Sequence, residues 1–378
     1  MMKFFYQQNK MLEKIFSQAL ARGVFPGAAL AVFEGRRSRR HRLIQCFGHT
    51  SYREQERQLI TQDTFFDLAS LTKPLGTLPA LLTLITAGKF DFNTTLEDLL
   101  KSKVPRDKKD ITLEDLLTHR SGLAAYLPFF KRLSPQKDRD INRDILQYIL
   151  SEPLAYPTGS RSLYSDPGFI LAGFIVERHS GKNLAACIEE DVYRPLGLED
   201  KLFFNYRGRV VTGIYAPGEY CLWRQRLLRG EVGDENCALM GGVAGHAGLF
   251  GNITAVAKLL EFYLDLGWSE TAPGAGNPLI KREYFLRCCR RWDETGKNTW
   301  AAGFDTPSPG YSSAGPYMSS ASIGHLGFSG TSCWLDPQKH LFIILLSNRV
   351  HPCRSNDRIK KFRPQLHKKI MEEAGLVR

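Results

Sequence analysis

The sequence predicts an α+β fold: an antiparallel β-sheet built from both chain termini, flanked by helices, with a mainly helical insertion between them. Three observations predict it. Strand-like apolar runs stand near the N-terminus, at Gly27 to Glu34 and Leu43 to Phe47. Others stand near the C-terminus, at Gly330 to Leu335 and Leu341 to Leu346. From Ser70 to about residue 205 the pattern is mainly helical, with loops. A chain of 378 residues, 43% of them hydrophobic, can bury a sizeable core. The expectation is one domain over residues 11–378, with the sheet in 11–70 and 250–378 and mainly helices in 71–249.

The elements follow in order. Met11, Leu12, Ile15, Phe16 and Leu20 repeat at helical spacing and end at Gly23. The first two strands then form a hairpin around an arginine-rich turn holding Arg36, Arg37, Arg39, Arg40 and Arg42. Ser70 opens a helix through Leu75, Leu78, Leu81, Leu82, Leu84 and Ile85, closed at Ala87-Gly88. Pro74 falls near its first turn, where proline costs least, and Pro79 lies deeper and should kink it. Thr112 caps a helix through Leu117, and Phe169 to His179 forms another, ended by Ser180-Gly181. Residues 206–240 hold short strand-like pieces. Asn252 or Thr254 caps a helix through Leu264. Trp300 to Phe304 is a further strand candidate, Asp336 to Lys339 turns the chain, and a last helix runs from about Pro364 to Ala374.

Formal net charge is +12, but the basic residues are scattered and no nucleic-acid motif accompanies them. That describes a solvated surface rather than a DNA or RNA footprint, and an anionic substrate is compatible with it. The apolar stretch Phe4 to Tyr6 is too short for a signal core, and no segment is long enough to span a membrane. The eight cysteines lack metal-ligand spacing. A cytoplasmic location with free thiols is expected. No metal and no cofactor is expected either: H-E-x-x-H and G-x-x-x-x-G-K-[ST] are both absent and the nine histidines are dispersed. The absence of G-x-S-x-G argues against an α/β-hydrolase elbow.

Ser70 and Lys73 share one helical face, with Cβ atoms roughly 5–6 Å apart. A neutral lysine there can take the serine's proton and make Ser70 a nucleophile. Roughly one S-x-x-K is expected by chance in a chain this long. A second match, Ser134 to Lys137, lies among charged residues and reads as a solvated loop. Locally, Ser70 also suits a helix N-cap, and both readings stand. Two later segments bear on the choice. In Tyr164-Ser165-Asp166, the phenol can serve as a base if Lys73 lowers its pKa, and Asp166 can hold the ammonium. Asp166 also fits an N-cap with Pro167 after it. In Gly324 to Ser332, small residues on an edge strand admit a substrate backbone, and N–H groups there can stabilise an oxyanion.

In this order, the segments resemble the serine β-lactamase and penicillin-binding superfamily, in the class C branch that includes D-alanyl-D-alanine carboxypeptidases, esterases and amidases. The counterparts of its three motifs are Ser70 to Lys73, Tyr164 to Asp166, and His325-Leu326-Gly327. Leu116 to Leu123 and Gly241 to Phe250 add support, and the resemblance covers about residues 11–350. It implies a serine hydrolase of a small-molecule or peptide-like ester or amide, a cell-wall fragment among the candidates. Ser70 would form the acyl-enzyme, and Lys73 and Tyr164 would share the base role. The N–H groups of Ser70 and Phe328 would hold the oxyanion, and Asp166, His325, Gly327 and Phe328 would face the substrate. His119 and His246 would be structural.

Two departures from the branch shape the expected chemistry. Asp166 stands where asparagine is commoner, which should raise the Lys73 pKa and shift base work to Tyr164. His325 replaces a lysine and weakens recognition of a substrate carboxylate, which disfavours β-lactamase activity. Val232 to Asn236 looks closest to muropeptide amidases, although Gly233 stands where those tend to have histidine. The alternatives are a true β-lactamase or D-Ala-D-Ala carboxypeptidase, or a non-catalytic binding protein on the same fold.

Overall fold

The computed structural model describes residues 2–35, 40–133, 140–206, 209, 211–269, 278–293 and 298–377. The Arg36 to Arg39 part of the basic turn and the second S-x-x-K, Ser134 to Lys137, lie outside the described residues. The sheet has five strands: β1 (Gly27–Glu34), β2 (His41–Gly48), β3 (Ile323–Leu326), β4 (Ser332–Asp336) and β5 (Leu341–Ser347). Their order is β2-β1-β5-β4-β3, with every pairing antiparallel. The two ends of the chain therefore meet at its centre, where Ala28 faces Ser347 and Glu34 faces Leu341. β3 is an edge strand.

Alternation along β1 and β5 divides the core in two. Ala29, Ala31, Phe33, Phe342 and Ile344 face the larger cluster, with α2 (Leu78–Thr86), α3 (Asp166–Ser180) and α4 (Ile253–Trp268). Ala28, Leu30, Ile343 and Leu345 face the other, under α1 (Met2–Ala21) and α5 (Ile359–Glu373). Because both faces are covered, these central strands read as unbroken apolar runs. At the basic turn, Arg40 and Arg42 reach α4 and pair with Asp265 and Glu261.

The segment after Ser70 differs from the single kinked helix expected. It is a 3₁₀ turn at Ala69–Leu71, a π-helical turn at Lys73–Thr77, and only then α2. Pro79 stands near the start of α2 rather than within it. The reason is its missing N–H. Leu78 N–H donates to the Lys73 carbonyl, and Pro79 can donate to neither Pro74 nor Leu75. Two buried phenols supply those donors: Tyr263 Oη reaches the Pro74 carbonyl at 2.8 Å, and Tyr193 Oη reaches that of Leu75 at 2.8 Å.

Other boundaries move for equally local reasons. Ser165, not Asp166, caps α3, its Oγ accepting the Gly168 N–H at 3.2 Å. Asn252 caps α4. Pro364 lies inside α5, which starts at Ile359. Trp300 to Phe304 forms no strand: Gly303, at φ +81°, turns the chain so that Trp300 and Asp305 make a lone bridge.

One close approach sets the lysine's surroundings. A Cβ on Gly245 would sit 2.0 Å from the Phe169 carbonyl oxygen and 2.8 Å from the Gly173 nitrogen. The loop at Gly245 thus lies directly on α3, and there it gives its carbonyls to Thr77 Oγ1 and, from His246, to Lys73. Gly245→Ala is expected to cost about 3 kcal/mol or more through backbone displacement. A large fall in melting temperature by calorimetry checks this, and an unchanged value would refute it.

Candidate active site

Ser70 is seated by strain and by distant clasps. Ala69 before it has φ +48°, the left-handed region, and its N–H donates to Asp67 Oδ1 at 2.8 Å. Thr72 Oγ1 donates to the Ala69 carbonyl at 2.6 Å and accepts the Leu249 N–H at 3.1 Å. From the β3–β4 turn, Ser329 Oγ donates to the Asp67 carbonyl at 2.6 Å and Thr331 Oγ1 to that of Leu68 at 3.2 Å. The edge of the C-terminal half of the sheet therefore holds the serine's turn.

Lys73 has no exposed surface. Its three N–H donors meet three acceptors: Asp166 Oδ1 at 2.8 Å, the His246 carbonyl at 3.1 Å and Ser70 Oγ at 3.3 Å. The Tyr164 ring centroid lies 4.7 Å from Nζ, which sets the phenol beside the lysine. Burial pulls the lysine pKa down, but Asp166 and Tyr164 outweigh it and hold the pKa above the ordinary value. This matches the effect expected of Asp166. The expectation for the phenol is reversed: burial outweighs Lys73 and leaves the Tyr164 pKa raised. At neutral pH the pair rests as ammonium and phenol.

The remaining motif residues divide. Ser70, Tyr164, Asp166 and Phe328 line one cavity of about 330 Å³. Phe328 is exposed there, and its ring lies 4.6 Å from the Arg349 guanidinium. Among the described residues, the N–H groups of Ser70 and Phe328 have no backbone acceptor. His325 and Gly327 lie outside the lining. His325 is buried behind Tyr164 and Trp300, with ring centroids 6.0 and 5.8 Å away, and Nδ1 donates to the Leu326 carbonyl at 2.9 Å. Burial, with Lys73 nearby, lowers its pKa to about 3, so the ring is neutral. Gly327 packs on Leu68 and Thr331, whose atoms would meet an added Cβ at 2.6 and 2.0 Å.

His119 is also buried and neutral, accepts the Ser165 N–H at Nδ1 (3.1 Å), and packs its ring tilted against Tyr164, with centroids 4.7 Å apart. His246 Nε2 bonds Asp234 Oδ1 at 3.0 Å, which braces the loop whose carbonyl holds Lys73. Burial raises the Asp234 pKa, but His246, the Cys237 N–H and Lys73 outweigh it and hold the carboxyl at about 2. Sequence reasoning missed Asp67, Tyr126, Asn348 and Arg354, which also line the cavity. None carries a motif; Asp67, three residues before Ser70, offered only proximity.

A serine, a buried lysine and a tyrosine stand together on an α+β scaffold, an arrangement that fits a serine hydrolase. Residues 12–366 match the beta-lactamase family, and the chain belongs to it. It is 30% identical to the N-acetylmuramyl-L-alanine amidase of Bacillus subtilis (strain 168), over 92% of this chain and 82% of that protein. A protein of Escherichia coli (strain K12) with the provisional name D-alanyl-D-alanine carboxypeptidase is also 30% identical, over 77% of this chain and 70% of its own. A class C beta lactamase from Rhodobacter sphaeroides shares the fold with TM-score 0.68 and 18% identity, over 94% of this chain and 99% of its own. The protein is accordingly a serine hydrolase. No helix among the described residues is long and apolar enough to cross a membrane, and all eight cysteines are unpaired.

The buried imidazole carries a stability signature. A folded-state pKa near 3, below the unfolded value of 6.5, means the unfolded chain binds the proton first. Stability contributed by neutral His325 is full above pH 6.5 and is lost as pH falls toward 3. His325→Phe should therefore lose less stability than the wild type between pH 7 and pH 4. Urea midpoints at the two pH values test this; an equal loss in both proteins would refute it.

Proposed function

We propose that the protein hydrolyses an ester or amide through an acyl-enzyme on Ser70. The observation that carries this is the Lys73 ammonium, sealed from water and 3.3 Å from Oγ of Ser70, which lines the cavity. The active form has lost one proton from the Lys73–Tyr164 pair. The phenolate oxygen then takes the Ser70 proton while Oγ bonds to the substrate carbonyl carbon, and the ammonium beside it stabilises the phenolate. The developing oxyanion is met by the N–H groups of Ser70 and Phe328, each such donor being worth several kcal/mol. Tyr164 returns the proton to the leaving nitrogen or oxygen as that bond breaks. Water repeats the cycle on the acyl-enzyme.

For the substrate we favour an amide or ester from a cell-wall fragment, supported by the likeness to the muramyl-alanine amidase over most of both chains. Substrates that depend on a carboxylate find little to bind: His325 is neutral and out of the cavity, and Arg354, the one Lys or Arg lining the cavity among the described residues, is paired with Glu219 and Glu235. The unpaired cysteines support work in a reducing compartment.

Ser70→Ala should abolish turnover and labelling by an aryl phosphonate while circular dichroism stays unchanged; labelling that persists would sink the assignment. Short-chain aryl esters should be cleaved faster than a chromogenic cephalosporin, and equal rates would contradict the account of His325. Because both pKa values of the pair are raised, kcat/KM should climb from pH 7 to 9 without a plateau. Asp166→Asn removes a charge that raises both, so its climb should begin at lower pH. A profile unmoved by that substitution would argue against the pair as the base.

A further inference from the structure

A strained histidine brackets the tyrosine of the site. His119 follows the helical turn Leu113–Leu117 and stands at φ +59°, in the left-handed region that few residues other than glycine adopt. Strained backbone of this kind gathers where a site needs a fixed geometry. The residue is buried, and its two acceptors serve the two chain neighbours of Tyr164. Its carbonyl takes the Leu163 N–H at 2.9 Å, and its Nδ1 takes the Ser165 N–H at 3.1 Å. Between these two bonds the Tyr164 ring packs against the imidazole at 4.7 Å and against Trp300 at 5.1 Å. Tyr156 Oη donates to the same His119 carbonyl at 2.9 Å and braces it.

Filling space does not account for an imidazole here. Its Nε2 is buried and has no partner among the described residues, so the ring's one hydrogen bond there is the bond to Ser165. A phenyl ring would fill the place without an unmet N–H. It would also leave the N–H of Ser165 without its acceptor, and Ser165 has no exposed surface. That residue stands between Tyr164 and Asp166, the two side chains that face Lys73. Burial, with Lys73 nearby, holds the imidazole pKa well below its ordinary value, so Nδ1 stays free to accept.

We propose that His119 is a positioning residue for the reaction: by accepting the Ser165 N–H it holds the Tyr164 phenol where it can take the proton of Ser70. His119 is not among the residues that line the cavity, so it touches no substrate. Its loss displaces the base and leaves the cavity wall in place, which slows turnover without weakening binding.

The proposal rests on Tyr164 as the base, and the experiment separates the two ideas. Hydrolysis of an aryl ester is measured for the wild type, His119→Phe, His119→Asn and Tyr164→Phe, with rates counted per folded molecule by circular dichroism. His119→Phe keeps a ring and the backbone carbonyl and removes the acceptor. His119→Asn removes the ring, sets an amide oxygen near the place of Nδ1, and suits positive φ. His119→Phe should lose at least about tenfold in kcat with KM within about threefold of the wild type, since a small displacement of a positioned group costs up to about 100-fold. His119→Asn should keep a kcat at least about fivefold above that of His119→Phe. A role in packing alone predicts the reverse order, because asparagine leaves the larger void. A smaller loss in His119→Phe, or a kcat in His119→Asn no higher than in His119→Phe, overturns the proposal. If Tyr164→Phe keeps the wild-type kcat, the base reading falls and this one with it; if Tyr164→Phe is inactive and the two His119 variants match, this one alone falls. Should either His119 variant fail to fold, amide exchange in the wild type decides. The N–H groups of Leu163 and Ser165 should then exchange as slowly as those inside α3, and exchange at least about tenfold faster at Ser165 overturns the proposal.

Discussion

An ammonium group with no exposed surface is the constraint on which the rest of the site depends. Taking such a charge out of water costs several kcal/mol even after relaxation, and the cost is met only if every N–H finds an acceptor. Lys73 finds three, in three separate stretches of chain: Ser70 one turn earlier, Asp166 at the first turn of α3, and the His246 carbonyl in the glycine loop. Each stretch is fixed in turn by something else. The glycine loop lies on α3 because neither Gly173 nor Gly245 has a side chain. Ser165 takes over the cap of α3, which leaves the Asp166 carboxylate free to face the lysine. The charge is therefore a register mark as well as a chemical group, since misplacing any of the three segments strands it without partners.

The same logic reaches the backbone beside the lysine. A π-helical turn with prolines at both ends leaves two carbonyls short of donors in the protein's interior, where each unmet group costs about 1–3 kcal/mol. Tyr193 and Tyr263 fill those places from well-separated helical segments. The outcome is a lysine segment that is irregular in form yet fully bonded, and irregular turns of this kind recur at functional sites.

Much of this was legible in the sequence, and the misses have physical causes. The centre of the sheet was readable because β1 and β5 are buried on both faces and read as apolar runs interrupted only at their ends, by Glu34 and Ser347. The capped helices were readable because Thr112, Asn252 and Gly181 act through bonds to near neighbours. Pro79 was misread because the donors that replace its N–H come from residues 193 and 263, and no local window contains them. Trp300 to Phe304 has strand-like residues, but one glycine in a positive-φ turn overrides them. Motif spacing located Ser70, Lys73, Tyr164 and Asp166 together. It could not tell that His325 would be buried instead of facing the cavity, since the rings that cover it, Tyr164 and Trp300, come from other segments. The carboxylates that line the cavity, Asp67, Asp166, Glu219, Asp234 and Glu235, were hidden for a simpler reason: a net charge of +12 averages over the whole chain, and groups gathered from residues 67 to 235 vanish in that sum.

The turn that seats the serine is clasped by Ser329 and Thr331, about 260 positions further along the chain, and β1 gains its second neighbour only when β5 is present. On the ribosome, where the chain emerges from its N-terminus first, neither clasp exists until residues 329–347 have been made. The hairpin of β1 and β2 must wait with one edge bare, and Ser70 must wait without its seat. Non-local pairing of this kind slows folding and lengthens exposure of the unpaired edge. It also means that a growing chain holds no seated Ser70: the turn is clasped only when the β3–β4 segment closes on it.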